Sequence, residues 1–344
     1  MRVLNKQVPP RHPYLRSQQG ITLIELMIAL VIGLLATGAM LKVYVDSSRL
    51  YRFNEGLARV QENGRFGLEF IRRDARMAGF WGCNSAVDPF NQLTPDTTLP
   101  DFLLNDYVTG TNGSVSDELG QPDKPDSIPF ASAAGGSLVT NENMADSIVV
   151  PVDSLGDFVT GDVLIITDCV TADIFKYNSD TDTDTELSKA YAVGSRIYRV
   201  QQTTFCIAEG GDPAQPSLRQ LVNPTSVQTC GKEHGDELVE GIENMQILMG
   251  EDTNTDFDGS VNRYVHPGYG DSESGDFVGD RVVSTRISLL AVSPYNNVTT
   301  EPAPYFFNGA LVGTDDISTD DRYLRKDFTT TITLRNKTRR RTED

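Results

Sequence analysis

The sequence predicts an α+β protein: one long N-terminal α-helix, transmembrane and then amphipathic, packed on a mainly antiparallel β head. Three features predict it. Residues 21–41 hold 21 side chains, of which only Glu25 is ionisable. From Leu50 to Ala78 apolar residues recur at spacings of three and four, the period of a helix with one buried stripe. From residue 147 the chain turns to short β-branched runs, several alternating in polarity, separated by turn residues. With 344 residues, 39% of them hydrophobic, and Gly 29 and Pro 17, a sizeable, loop-rich head accompanies that helix.

Residues 1–20 carry Arg2, Lys6, Arg11 and Arg16 and no acid, so without them the formal net charge falls from −18 to −22. A chain this acidic is repelled by nucleic acid and anionic lipid surfaces and attracts cations or basic partners. At ~1.5 Å per residue, 21–41 makes a helix of roughly 30 Å, enough to cross a bilayer, with its basic flank on the cytoplasmic side. A carboxylate at mid-span costs about 2.5–3.5 kcal/mol and less near the end. Glu25 lies near the end, yet still needs a partner. A secretory signal peptide has a shorter apolar core, of about 7–15 residues, closed by a small-x-small site, which is lacking here. A plain anchor leaves Glu25 unexplained. The third reading is a basic leader, 1–20, cut between Gly20 and Ile21 ahead of the apolar run, so that 21–41 stays on the mature protein as the transmembrane half of the helix.

Residues 42–78 form the amphipathic half. Leu50, Phe53, Leu57, Val60, Leu68, Ile71, Ala75 and Ala78 make the stripe expected under the head, and Arg49, Glu55, Arg59, Glu62, Arg65, Arg72 and Arg76 are among those on the polar side. Gly56, Gly64 and Gly67 each cost about 1 kcal/mol relative to Ala inside a helix and mark either bends or close packing. The pattern stops at Gly79, where the α+β head, 79–344, begins. Residues 84–146 are rich in Pro, Asp, Asn, Gly and Ser and read as an irregular insertion with few strands. Strand-like runs follow, among them "VLIITDCV", "SRIYRV", "TTFCIAEG", "ELVEGIENMQILMG", "VVSTRISLLAVSP" and "FTTTITLRN". Alternation puts Ile287, Leu289 and Ala291 on one face, and Phe328, Thr330, Ile332 and Leu334 on another.

"GITLIEL", residues 20–26, resembles the processing motif of type IV prepilins: a Gly, a hydrophobic residue, Thr-Leu-Ile-Glu and a long apolar stretch, with Ile21 where Phe is usual. In the head, "RFGLEFIRRDARMAGFWGC", "GDVLIITDCVTADIF", "ELVEGIENMQILMG" and "RVVSTRISLLAVSP" are similar to PilW-type minor pilins, which in turn resemble the J-type minor pseudopilins of type II secretion. The resemblance spans roughly 16–80 and 147–336. It implies a pilin-like fold, cleavage by a prepilin peptidase after Gly20, and N-methylation of Ile21. It also implies that Glu25 neutralises the α-amino group of an adjacent subunit, because both charges are far cheaper paired than alone in apolar surroundings. The further implication is a minor pilin that joins other minor pilins and the major pilin through its N-terminal helix and primes pilus assembly near the tip. Such a subunit sits first in the inner membrane with its head in the periplasm, then in the extracellular pilus.

Cys83, Cys169, Cys206 and Cys230 are even in number, and an oxidising periplasm favours disulfides. Of the three possible pairings, Cys83 with Cys169 and Cys206 with Cys230 is favoured: the first ties the helix end to a strand, the second closes a hairpin-sized excursion. In "EDTNTDFDGSVNRY", Asn254, Asp256, Asp258, Gly259, Ser260 and Asn262 take positions 1, 3, 5, 6, 7 and 9 of an EF-hand-type loop. Asp252 could reach inward, but Val265 stands where a bidentate Glu belongs. A weak Ca2+ site and a solvated acidic turn are the two readings, and no other cofactor is implied.

Nothing points to catalysis. His12 lies in the leader, His234 and His266 are beside Gly or Pro, and there is no nucleophile elbow, phosphate loop or zinc motif. The tail "RNKTRRRTED" reads as a short solvated end. A tip adhesin using 84–146, or a type II secretion pseudopilin, are the alternatives to an assembly subunit.

Overall fold

The computed structural model describes residues 20–83, 90–91, 124–152, 158–178, 183, 186–210, 215–223, 228–255, 258–267, 281–312 and 321–336. The leader up to residue 19, most of 84–123, Asp256 and the basic tail from Lys337 lie outside them. Helix α1 runs Leu23–Met77, and the chain divides into two compact units, Met1–Arg52 and Phe53–Asp344.

In the first unit the residues of α1 from 26 to 41 are apolar on every side, with Leu30 65%, Ile32 61% and Leu34 76% exposed. A helix hydrophobic all round belongs in a core or a membrane, and this one is long and apolar enough to cross a membrane. Leu50, counted above in the buried stripe, is instead 60% exposed.

In the second unit α1 buries Gly56, Val60, Gly64, Gly67, Leu68, Ile71 and Ala75. These residues meet two sheets. The first contains β1 (Phe90–Asn91), β2 (Ile128–Val139), β3 (Val163–Thr167), β4 (Ala172–Lys176), β5 (Arg196–Glu209), β6 (Pro216–Val222) and β7 (Asp236–Glu240). Its order is β1-β4-β3-β5-β6-β7, with β2 on the other edge of β5; all pairs are antiparallel except β1 with β4. The second contains β8 (Ile242–Glu251), β9 (Arg263–Val265), β10 (Val282–Val292) and β13 (Arg325–Thr333), in the order β13-β10-β8-β9. A small hairpin, β11 (Tyr305–Phe307) with β12 (Ala310–Val312), completes the described strands.

Strand alternation sorts the core. On β10, Ile287, Leu289 and Ala291 face α1, joined by Phe328 and Ile332 on β13 and Leu334 just after it, while Leu290 points the other way against Phe307 and Val312. Strand β3 is buried on both faces: Leu164 and Ile166 pack with Phe175 and Tyr191, Ile165 with Trp81 and Ile174. Gly56, Gly64 and Gly67 are close-packing sites. A Cβ at Gly64 would overlap the ring of Phe328, and one at Gly67 would come within 2.9 Å of Leu289 Cδ1.

Two strand readings are corrected. "ELVEGIENMQILMG" is not one strand: Gly241 breaks it into β7 and β8, which lie in different sheets. Gly241 has φ 72°, its N–H bonds Pro216 O in one sheet at 2.8 Å, and its carbonyl accepts from Val292 in the other at 2.9 Å. A Cβ there would press on Val292 O, so the switch between sheets needs glycine. The expected irregular stretch 84–146 also holds β2, twelve residues paired with β5. Just ahead of it, Asp126 is buried, accepts the Ile247 N–H at 2.8 Å and donates its own to Met245 O at 2.8 Å, linking the first sheet to the second.

Candidate processing and assembly site

The N-terminus of α1 is set by Thr22. Its side-chain oxygen accepts the Glu25 N–H at 3.3 Å, and its carbonyl accepts the N–H groups of Glu25 at 3.1 Å and Leu26 at 3.2 Å. Thr22-x-x-Glu25 is capping-box spacing, and Glu25 is the acidic residue of the first turn, where the helix dipole favours it. Glu25 thus stands at the capping-box position, and its carboxylate is favoured there by the helix dipole. The Gly20–Ile21 bond precedes the helix and is exposed, Ile21 at 73%. Neither Gly33 nor Gly38 has an atom within 4 Å of a would-be Cβ, unlike the head-facing glycines.

The cysteines are joined Cys83 to Cys169 and Cys206 to Cys230. Cys169 lies in the turn between β3 and β4 with φ 72°, a conformation glycine takes more cheaply; what a cysteine brings there is the bond to the end of α1. That end is also capped from just beyond β13, where Asn336 Nδ2 donates to Ala78 O at 3.1 Å.

In the acidic loop Thr253, Asn254, Asp258 and Ser260 are exposed, as in a solvated turn, and Asp252 is the exception. Asp252 is fully buried, and its carboxylate accepts the N–H of Asn254 at 3.0 Å and of Gly259 at 2.7 Å. Burial pushes the Asp252 carboxyl up, but the N–H groups of Asn254, Gly259 and Asp258 outweigh it and hold the group below the usual carboxylate range. Asp258 accepts the Ser260 N–H at 2.8 Å, and Asn262 Oδ1 accepts the Thr253 N–H at 2.7 Å. The loop is thus closed on its own amides, and Ca2+, which the sequence raises as a proposal, has to compete with them for Asp252. Melting the full chain in Ca2+ and in EDTA at matched ionic strength should give equal temperatures. A rise with Ca2+ would restore the metal site. Among the described residues, no three His, Cys, Asp or Glu side chains converge as a metal group.

Comparison with known proteins adds three findings. The family described as Type IV Pilus-assembly protein W matches residues 180–336, and the prokaryotic N-terminal methylation motif matches 15–41. No curated protein matches the chain. Among solved structures, a type IV-like pilin from Thermus thermophilus is similar at 11% identity, over 82% of this chain and 98% of that one, with a TM-score of 0.35, too loose a superposition to carry a conclusion.

Proposed function

Because the chain is a type IV pilin-like protein of the PilW family with a prepilin methylation motif, we propose that it acts as a minor pilin, joining other pilins through α1 to prime pilus assembly near the filament tip. The observation that carries this reading is the contrast along one helix. Residues 56–75 bury their small and apolar side chains in the head, whereas the apolar residues of 21–35 are more than half exposed. Exposed surface of that kind calls for lipid and then for the helices of other subunits. Processing by a prepilin peptidase at Gly20 and residence in the inner membrane with a periplasmic head belong to the same proposal, as does an absence of catalysis.

Glu25 separates assembly from helix capping. Glutamine keeps a capping-box residue but removes the charge, whereas valine removes both. Membrane insertion should survive both Glu25→Gln and Glu25→Val, and both should cut recovery of partner pilins and surface pili at least tenfold. Normal piliation with Glu25→Gln would leave only the cap.

A further inference from the structure

Strand β13 is an edge strand: β10 lies on one side of it, and no described strand lies on the other. Leu334 N–H bonds Val283 O at 2.9 Å. With the register Ser284↔Thr333 through Ser288↔Thr329, this bond fixes which residues pair toward β10. Antiparallel ladders alternate, so Phe328, Thr330 and Ile332 bond inward, while the backbone groups of Thr329, Thr331 and Thr333 face the open edge. Their side chains are exposed too. Natural proteins usually blunt such an edge with a bulge, a proline or a covering loop. Here the register with β10 runs unbroken from Arg325 to Thr333.

Beside this edge lies a groove of about 530 Å3 lined by Arg72, Arg76 and Arg335 together with Thr330, Thr331, Ile332 and Thr333. Arg72 and Arg76 are one helical turn apart on α1. The pairing of Arg72 with Glu69, at 3.4 Å, is exposed on both sides, so it is weak and exchangeable. Three guanidinium groups around one strand edge, in a chain of net charge −18, are a local reversal of sign. An open edge binds an extended segment through main-chain hydrogen bonds, and guanidinium groups bind carboxylates in a directed, two-pronged way.

We propose that the β13 edge and its arginine groove form a docking site for an extended, acidic segment of another protein, which adds as a strand beside Thr329–Thr333. The site rests on the geometry of the head alone and goes beyond the helix-mediated contacts proposed above.

The probe is an eight-residue peptide alternating threonine and glutamate, labelled with fluorescein and titrated by anisotropy into the full chain in non-ionic detergent. It should bind with a dissociation constant below about 1 mM, since each tenfold is about 1.4 kcal/mol and several main-chain bonds plus the charges of Arg72 and Arg76 can contribute. A threonine–lysine peptide should bind at least tenfold more weakly. So should a fully N-methylated glutamate peptide, which keeps the charge and loses every donor. Arg72→Glu with Arg76→Glu should cost at least tenfold, as should Thr331→Pro, which an edge strand tolerates at an outward N–H. Equal binding of the lysine or the N-methylated peptide, or an unchanged affinity in the arginine double variant, would overturn the site.

Discussion

Arg325→Met should lower the stability of the head by about 3 kcal/mol at neutral pH, the low end for breaking a buried ion pair. The Arg325 side chain is only 8% exposed and holds two carboxylates at once: Glu243 at 2.6 and 3.0 Å, and Asp321 at 2.6 and 2.8 Å. Its guanidinium also lies over the rings of Tyr305 and Tyr323. The arginine thus joins β13 to β8 across β10. Methionine keeps the apolar packing and leaves both acids without their cation. Glu243 and Asp321 are 32% and 29% exposed, so water recovers part of the loss, hence the low end. Hydrogen bonding to Arg325 holds the Asp321 carboxyl below the usual range despite burial. A carboxyl depressed in this way contributes stability above its unfolded value, about 3.9, and loses it as the pH falls through the folded value. The penalty of Arg325→Met should therefore shrink below about pH 4. Denaturant unfolding followed by Trp81, the only tryptophan and fully buried in the head, reads this out. A penalty that stays constant down to pH 3 would mean that the ion cluster contributes little.

Removing the Cys83–Cys169 bridge by a double serine substitution should cost about 4–5 kcal/mol, because it closes 86 residues of chain and loop-closure entropy grows with that length. The Cys206–Cys230 bridge, with a separation of 24, should cost about 3–3.5 kcal/mol on the same basis. The order of the two is the point. The longer loop also anchors the residues just after α1 to the β3–β4 turn, so its loss frees the helix end that Asn336 caps. The same Trp81 signal measures both variants. A larger loss for the Cys206–Cys230 pair would mean that native-state contacts, not chain entropy, govern these bridges.

The fold was legible wherever one residue's pattern decides its own environment. Ile287, Leu289 and Ala291 on β10 are alternation read straight from the chain, and the 3.6-residue stripe of Val60, Leu68, Ile71 and Ala75 is equally local. What escaped depends on distant partners. Gly64 is a packing glycine only because Phe328 arrives from the far end of the head. Strand β2 is spelled "IPFASAAGGSLV", with little intrinsic strand preference, and owes its form to β5. Gly241 looked like one residue in a long strand, and only two sheets at once reveal it as a switch. Asp252 is a nearer case: its bond to the Asn254 N–H is local turn chemistry, while the one to Gly259 depends on how the loop closes, and Ca2+ there stays a proposal. The N-terminal stretch is the opposite case: Gly20, Ile21 and Glu25 lie in one short run that matches the methylation motif, a signal that needs no tertiary partner, while their individual roles remain proposals.

The central claim is that α1 is retained on a processed pilin subunit, and the mass of the mature N-terminus tests it most directly. Mass spectrometry of the membrane-extracted protein should find a chain that begins at Ile21 with a methylated amine, and Gly20→Val should leave residues 1–20 attached. A mature chain that begins elsewhere, or a Gly20→Val protein processed like the wild type, would contradict the account.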